Sequence, residues 1–153
     1  MKLIKVAGAA LNQTPFDWEK NLNNILKAIE LARQDNVTLL CLPELCITGY
    51  GCEDMFFSPG LLDTTLDILL KIVPETKGMI VSVALPLFYR KNIFNVACLI
   101  ADGKILGFVA KKHLAGDGIH YEPRWFKPWP QNLHTEIEIH GNKYPLGDIY
   151  FDI

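Results

Sequence analysis

With 153 residues, half of them apolar and 21% charged, the chain can bury one sizeable core and has the composition of an ordinary globular domain. A formal net charge of −2 gives no electrostatic footprint for nucleic acid or for an anionic membrane. No apolar run approaches the ~20 residues that a membrane-spanning helix needs.

Lys2–Leu11 reads as a first strand, closed by Asn12-Gln13-Thr14-Pro15. Lys2 and Lys5 before an apolar run resemble a secretory signal, but the run is shorter than a signal's usual apolar core, so a cytoplasmic protein is expected. Asp17 is placed to cap a helix running to about Asp35. Trp18, Leu22, Ile25, Leu26, Ile29 and Ala32 make its core stripe, and Asn21, Asn23, Asn24, Lys27, Glu30 and Arg33 its wet face. Val37–Leu42 is an apolar run suited to a strand buried on both faces, ended by Pro43. The order is that of a βαβ unit.

Glu44 follows at once, at the carboxyl end of that strand, where α/β sheets form ligand crevices. A carboxylate there is costly without a partner or a task. The plainer alternative is a Pro-Glu turn with a solvated charge. Gly49 and Gly51 flank Tyr50 and mark a tight loop. Ser58-Pro59 then starts a second helix with Leu62, Leu66, Leu69, Leu70 and Val73 as its apolar stripe, stopped by Pro74.

Met79–Leu85 is a strand followed by Pro86, and Asn92–Ile100 and Lys104–Lys111 form a hairpin about Ala101-Asp102-Gly103. The hairpin argues for a mixed sheet. Leu114–Asn132 is a long, aromatic, proline-rich loop of the kind more often functional than idle. Leu133–His140 alternates as a strand, Gly141-Asn142 turns, and Tyr144–Ile153 begins another strand, whose outer edge is expected to be unpaired and open to association. The four cysteines, Cys41, Cys46, Cys52 and Cys98, fit no zinc spacing and are expected to be buried, reduced thiols. No metal site is expected.

Leu42-Pro43-Glu44-Leu45-Cys46-Ile47-Thr48-Gly49-Tyr50-Gly51-Cys52-Glu53-Asp54 resembles the P-E-x-x-x-T-G-Y-x-x-E-D segment of the nitrilase (carbon–nitrogen hydrolase) superfamily. More narrowly it is similar to the amino-terminal glutaminase domain of the glutamine-dependent NAD synthetases. Ala110-Lys111-Lys112-His113-Leu114 resembles the K-x-(H/Y)-L segment that carries the family's catalytic lysine, and Tyr121-Glu122-Pro123-Arg124-Trp125-Phe126 the family's Y-E-x-R-(Y/W)-F run. Leu114-Ala115-Gly116-Asp117-Gly118 departs from the usual L-P-x-Y, which removes the aromatic contact expected at Asp117.

The resemblance implies the amino-terminal portion of an α-β-β-α sandwich, with residues 1–153 forming part of a glutaminase domain. It implies Glu44 as general base and Lys111 as catalytic lysine, with their heads within roughly 4–6 Å, the range of strong mutual pKa shifts. Tyr50 and Glu122 are candidate substrate-binding residues. Glu122 either supports the lysine or lines the glutamine pocket, and as a plain loop carboxylate it would pair with Arg124. His113 and His120 belong to the loop wall. The family's third reacting group, a cysteine in a G-x-E-I-C-E-D-like segment, has no counterpart in these residues, and Cys46 and Cys52 are the only conceivable stand-ins.

The implied reaction is hydrolysis of glutamine to supply ammonia for converting deamido-NAD to NAD. No cofactor is needed for the glutaminase step. ATP and Mg would serve a synthetase domain that is not in this sequence. The intact protein would be a homo-oligomer with no nucleic-acid or membrane partner. The alternatives are a free-standing nitrilase-type amidase and a non-catalytic α/β binding module.

Overall fold

The computed structural model describes residues 3–152. Seven strands form one mixed sheet in the order β1-β2-β3-β4-β5-β7-β6. They are β1 (Val6–Gly8), β2 (Leu39–Cys41), β3 (Ile80–Tyr89), β4 (Asn92–Ala101), β5 (Lys104–Ala110), β6 (His134–Ile139) and β7 (Asn142–Gly147). The first three run parallel, linked by helices α1 (Trp18–Gln34) and α2 (Pro59–Ile72). From β3 to β5 the ladder is antiparallel, while β7 lies parallel to β5 and antiparallel to β6.

Alternation along the strands sorts the sheet into two faces. Leu40, Val81, Val83, Leu85, Val96, Cys98, Ile100 and Phe108 point one way and share a core with Ile25 and Ile29 of α1 and Ile68, Leu69 and Ile72 of α2. The other face carries smaller residues. There Cys41, Ser82, Ala84, Ala97 and Val109 line a shallow hollow of about 300 Å³ whose rim includes Glu44, Asn95 and Lys111.

Several boundaries differ from the sequence expectation. Strand β1 is shorter, because it pairs on one side only with a three-residue partner; Lys2 lies outside the described residues. Strand β3 runs through Pro86 to Tyr89. The missing amide of Pro86 is tolerated because β2 pairs β3 only as far as Ser82, leaving that side of Pro86 free. Asn21 is not on the wet face of α1. It is fully buried, with its Nδ2 donating to the carbonyls of Thr14 and Ile47 and its Oδ1 accepting from the Thr14 amide.

Asp17 caps α1 through its carboxylate and the Lys20 amide, whereas Ser58 makes no side-chain bond at the start of α2. Cys41 is exposed rather than buried. The last strand ends at Gly147, where Asp148 turns away to donate its amide to the Leu133 carbonyl. The outer edge is therefore β6, and β7 is paired on both sides; Ile153 lies outside the described residues.

Gly49 fixes the path of the loop after β2. Its φ is +82°, and a Cβ there would meet the Pro15 backbone nitrogen at 2.8 Å. Gly49→Ala is expected to destabilise the protein by about 2 kcal/mol or more in urea unfolding, since left-handed strain and a backbone clash act together. Unchanged stability would show that the loop takes another path.

Candidate active site

Strand β2 ends at Cys41, and the Leu42 amide still reaches the Ser82 carbonyl before Pro43 ends the ladder. Glu44 comes next and stands at the sheet's carboxyl edge. Leu45 then takes φ +49°, a left-handed backbone that costs a branched residue roughly 1–2 kcal/mol. Its side chain is wholly buried in a second, smaller core with Cys52, Phe56, Leu61, Leu62, Ile93 and Phe126. That burial offsets the strain and turns the loop sharply behind Glu44.

Lys111 immediately follows β5, its amide bonded to the Asn95 carbonyl and its carbonyl to the Trp129 amide. Its Nζ lies 2.5 Å from Glu44 Oε1. This is direct contact, closer than the separation read from the sequence. Lys111 Nζ also lies 2.9 Å from the Glu122 carboxylate. Glu122 opens a single helical turn, α3 (Glu122–Trp125), and is completely buried.

Two carboxylates thus share one ammonium. Glu122 is fully engaged, because Oε1 also accepts from the Tyr50 hydroxyl at 3.0 Å and Oε2 from the Ala115 amide at 2.7 Å. Arg124 does not pair with Glu122. It turns to Asp54 instead. The bonds of Glu122 run to Lys111, Tyr50 and the Ala115 amide.

Burial opposes the charge on Lys111, but the hydrogen bonds it donates to Glu44 and Glu122 outweigh it and hold the ammonium above its ordinary 10.5. Burial likewise opposes the charge on Glu122, and its bonds to Lys111, the Ala115 amide and Tyr50 bring it below its ordinary 4.5. Tyr50 is pushed up to about 12 by desolvation and by its bond to Glu122.

Asn95 escaped the sequence reading. This buried residue of β4 donates from Nδ2 to Glu44 Oε1 at 2.7 Å. Its only sequence signal is an amide in the middle of an apolar strand. His120 approaches Tyr50, with its Nδ1 3.5 Å from the hydroxyl and the two rings edge to face. Lys112 points elsewhere, to Asp148 at 2.8 Å.

The buried thiols are poorly suited to attack. Desolvation raises Cys46 to about 12 and also raises Cys52 and Cys98. Cys46 donates to the Ala84 carbonyl and Cys52 to that of Thr48. Among the described residues no cluster of three or more His, Cys, Asp or Glu side chains could hold a metal ion. A second hollow of about 460 Å³, walled by Phe57, Leu62, Phe88 and Trp125, is not lined by Glu44 or Lys111. No described helix is long and apolar enough to cross a membrane.

Residues 5–151 match the carbon–nitrogen hydrolase family. The chain belongs to that family. Its similarity is to the amino-terminal region of glutamine-dependent NAD(+) synthetases. The human synthetase is 38% identical over 135 residues, which are 87% of this chain and 19% of that protein. The Saccharomyces cerevisiae synthetase is 36% identical over 129 residues, 83% of this chain and 18% of that one. The chain therefore spans about a fifth of the length of the curated relatives it matches.

Among solved structures, a glutamine-dependent NAD(+) synthetase from Cytophaga hutchinsonii superposes with a TM-score of 0.96 at 46% identity, covering 98% of this chain and 26% of that one. An amidase from Nesterenkonia sp., 21% identical, covers 92% of this chain and 53% of that one with a TM-score of 0.71. The mixed sheet is thus that of the nitrilase superfamily, represented here by a 153-residue portion.

The stability held in the Glu122–Lys111 cluster depends on pH at both extremes. Glu122 contributes stability above pH 4.5, lost as the pH falls through its lower folded value. Lys111 contributes below pH 10.5, lost as the pH rises through its higher folded value. The Ala115 amide, bonded to Glu122, reports this by NMR. Its shift is expected to stay flat from about pH 5 to 9 and, on acidification, to move only below that range. A midpoint above 4.5 would contradict the assignment.

Proposed function

We propose that these residues supply the general base and the catalytic lysine of a glutaminase. In the longer protein the ammonia would serve the ATP-dependent conversion of deamido-NAD to NAD. The observation that carries this reading is the Lys111 ammonium shared by Glu44 and Glu122, in a chain 46% identical to a glutamine-dependent NAD(+) synthetase. That identity favours a synthetase glutaminase over a free-standing amidase, since the amidase likeness is one of fold alone.

In the proposed reaction Glu44 accepts the proton of a cysteine thiol supplied outside these residues. The thiolate forms a bond to the carboxamide carbon, and the carbonyl electron pair moves onto oxygen. Lys111 has three N–H donors, two of which go to the carboxylates, so the third is free to stabilise that oxyanion. Collapse breaks the C–N bond as Glu44 returns its proton to the leaving nitrogen, releasing ammonia. Glu44 then deprotonates the water that hydrolyses the thioester.

Glu44 Oε1 holds Lys111 and Asn95, while among the described residues Oε2 has no partner and is the atom free to accept the proton. Glu122 and Tyr50 keep Lys111 charged and aimed. ATP, Mg and deamido-NAD would act in residues beyond these 153, and the whole protein would be a cytoplasmic homo-oligomer.

In a protein extended to the length of its relatives, Glu44→Gln is expected to lower glutamine turnover by ~10²–10⁴-fold, the typical loss of a positioned base. Lys111→Met should be comparably damaging. Near-normal turnover in Glu44→Gln would remove Glu44 from the mechanism. The 153 residues alone are expected to release no ammonia from glutamine, because a base and a lysine do not replace a nucleophile. Stoichiometric labelling of Cys46 or Cys52 by an electrophilic glutamine analogue, read by intact mass, would overturn that.

A further inference from the structure

The loop that follows Glu44 and the turn that carries Glu122 are joined a second time, away from the ammonium. Asp54 lies in the 3-10 turn Glu53–Phe57 and Arg124 in α3. Arg124 donates from Nε and from one Nη to the two oxygens of Asp54, each at 2.6 Å. The Trp125 indole N–H donates to Asp54 Oδ1 at 3.0 Å. Three donors from one helical turn thus converge on a single carboxylate 70 residues earlier in the chain.

Exposed ion pairs commonly contribute little, and both partners here are about 60% exposed. This one differs in having a bidentate fork and a third donor, which fix orientation as well as distance. It also closes over the small second core. Phe56, two residues after Asp54, packs on Trp125 and Phe126 with ring centroids 5.9 and 4.9 Å apart. Leu45, next to Glu44, lies in that same core. One rigid unit therefore touches the backbone beside Glu44 at one end and the backbone beside Glu122 at the other.

We propose that Asp54 is a positioning residue, which through Arg124 and Trp125 clamps the Glu122 turn against the Glu44 loop and so sets where Lys111 stands between its two carboxylates. The clamp holds the loop behind one carboxylate against the turn that carries the other. It touches neither Glu44 nor Lys111 directly. Its effect therefore falls on the geometry of the pair and not on the binding of a substrate. The consequence for catalysis rests on the glutaminase reading, while the structural claim does not.

The test measures amide hydrogen exchange in this chain with Asp54→Ala and Arg124→Lys. Exchange at Ala115 and Glu122, whose amides tie the turn together, is expected to speed up about tenfold as the clamp's charge-assisted bonds are lost. The β3 and β4 amides should keep their rates. Arg124→Lys retains the charge but not the fork, and should behave like Asp54→Ala.

In the nucleophile-bearing protein Asp54→Ala is expected to lower kcat ~10-fold or more with KM little changed, as for a misplaced catalytic group. Unchanged exchange at Ala115 and Glu122, or faster exchange with unaltered kcat, overturns the proposal. Wild-type-like exchange in Arg124→Lys shows that charge suffices and overturns the fork. If Glu44→Gln retains turnover, the glutaminase reading fails while the exchange result still decides the clamp.

Discussion

The structure depends on one ammonium compensating two carboxylates. Burying Glu122 completely would cost several kcal/mol if its charge were unpaired. Lys111, the Ala115 amide and the Tyr50 hydroxyl together satisfy it. Lys111 is therefore drawn towards the interior, where Glu44 meets it from the opposite loop. Of the two carboxylates, Glu44 is the better exposed. That exposure is what would make Glu44, rather than Glu122, reachable as the base of the proposed reaction.

The sheet supplies the coarse placement and the loops the fine one. Parallel β2 and antiparallel β5 both deliver their carboxyl ends near Asn95 of β4, which bonds Glu44 through its side chain and Lys111 through its backbone. Asn95 thus sets the spacing between Glu44 and Lys111. The price of the sharp turn behind Glu44 is the left-handed Leu45, stabilised by burial among Phe56, Leu62 and Phe126. Strain next to the proposed base, held by a dedicated small core, is the arrangement expected where geometry matters more than local stability.

Local signals in the sequence were readable where the physics is local. The Asp17 cap, the stripe of α1, and the Asp102-Gly103 turn with both residues at positive φ all follow from neighbours within a few positions. The tight hairpin at Arg90-Lys91 also has positive φ at both central residues, yet lacks the Gly or Asn that would announce it. Asn21 stands four residues before Ile25 and eight before Ile29, so helical spacing put it on the buried stripe; its polarity concealed this.

Glu44 and Lys111 could be picked out by family resemblance, and the structure brings them together. Asn95 could not, and although Asp54 closes the family-like segment, its pairing with Arg124, 70 residues away, was not legible. Glu122 and Arg124 looked like a local pair, but residues two apart on a helical turn do not face each other.

The most direct measurement is an NMR titration of the Lys111 side chain, followed at its ε-carbon, in the wild-type chain and in Glu44→Gln and Glu122→Gln. If the ammonium is held by both carboxylates, the wild-type midpoint lies above the ordinary 10.5 and each substitution lowers it. A wild-type midpoint at or below 10.5, or one indifferent to both substitutions, would contradict the shared ammonium on which the account rests.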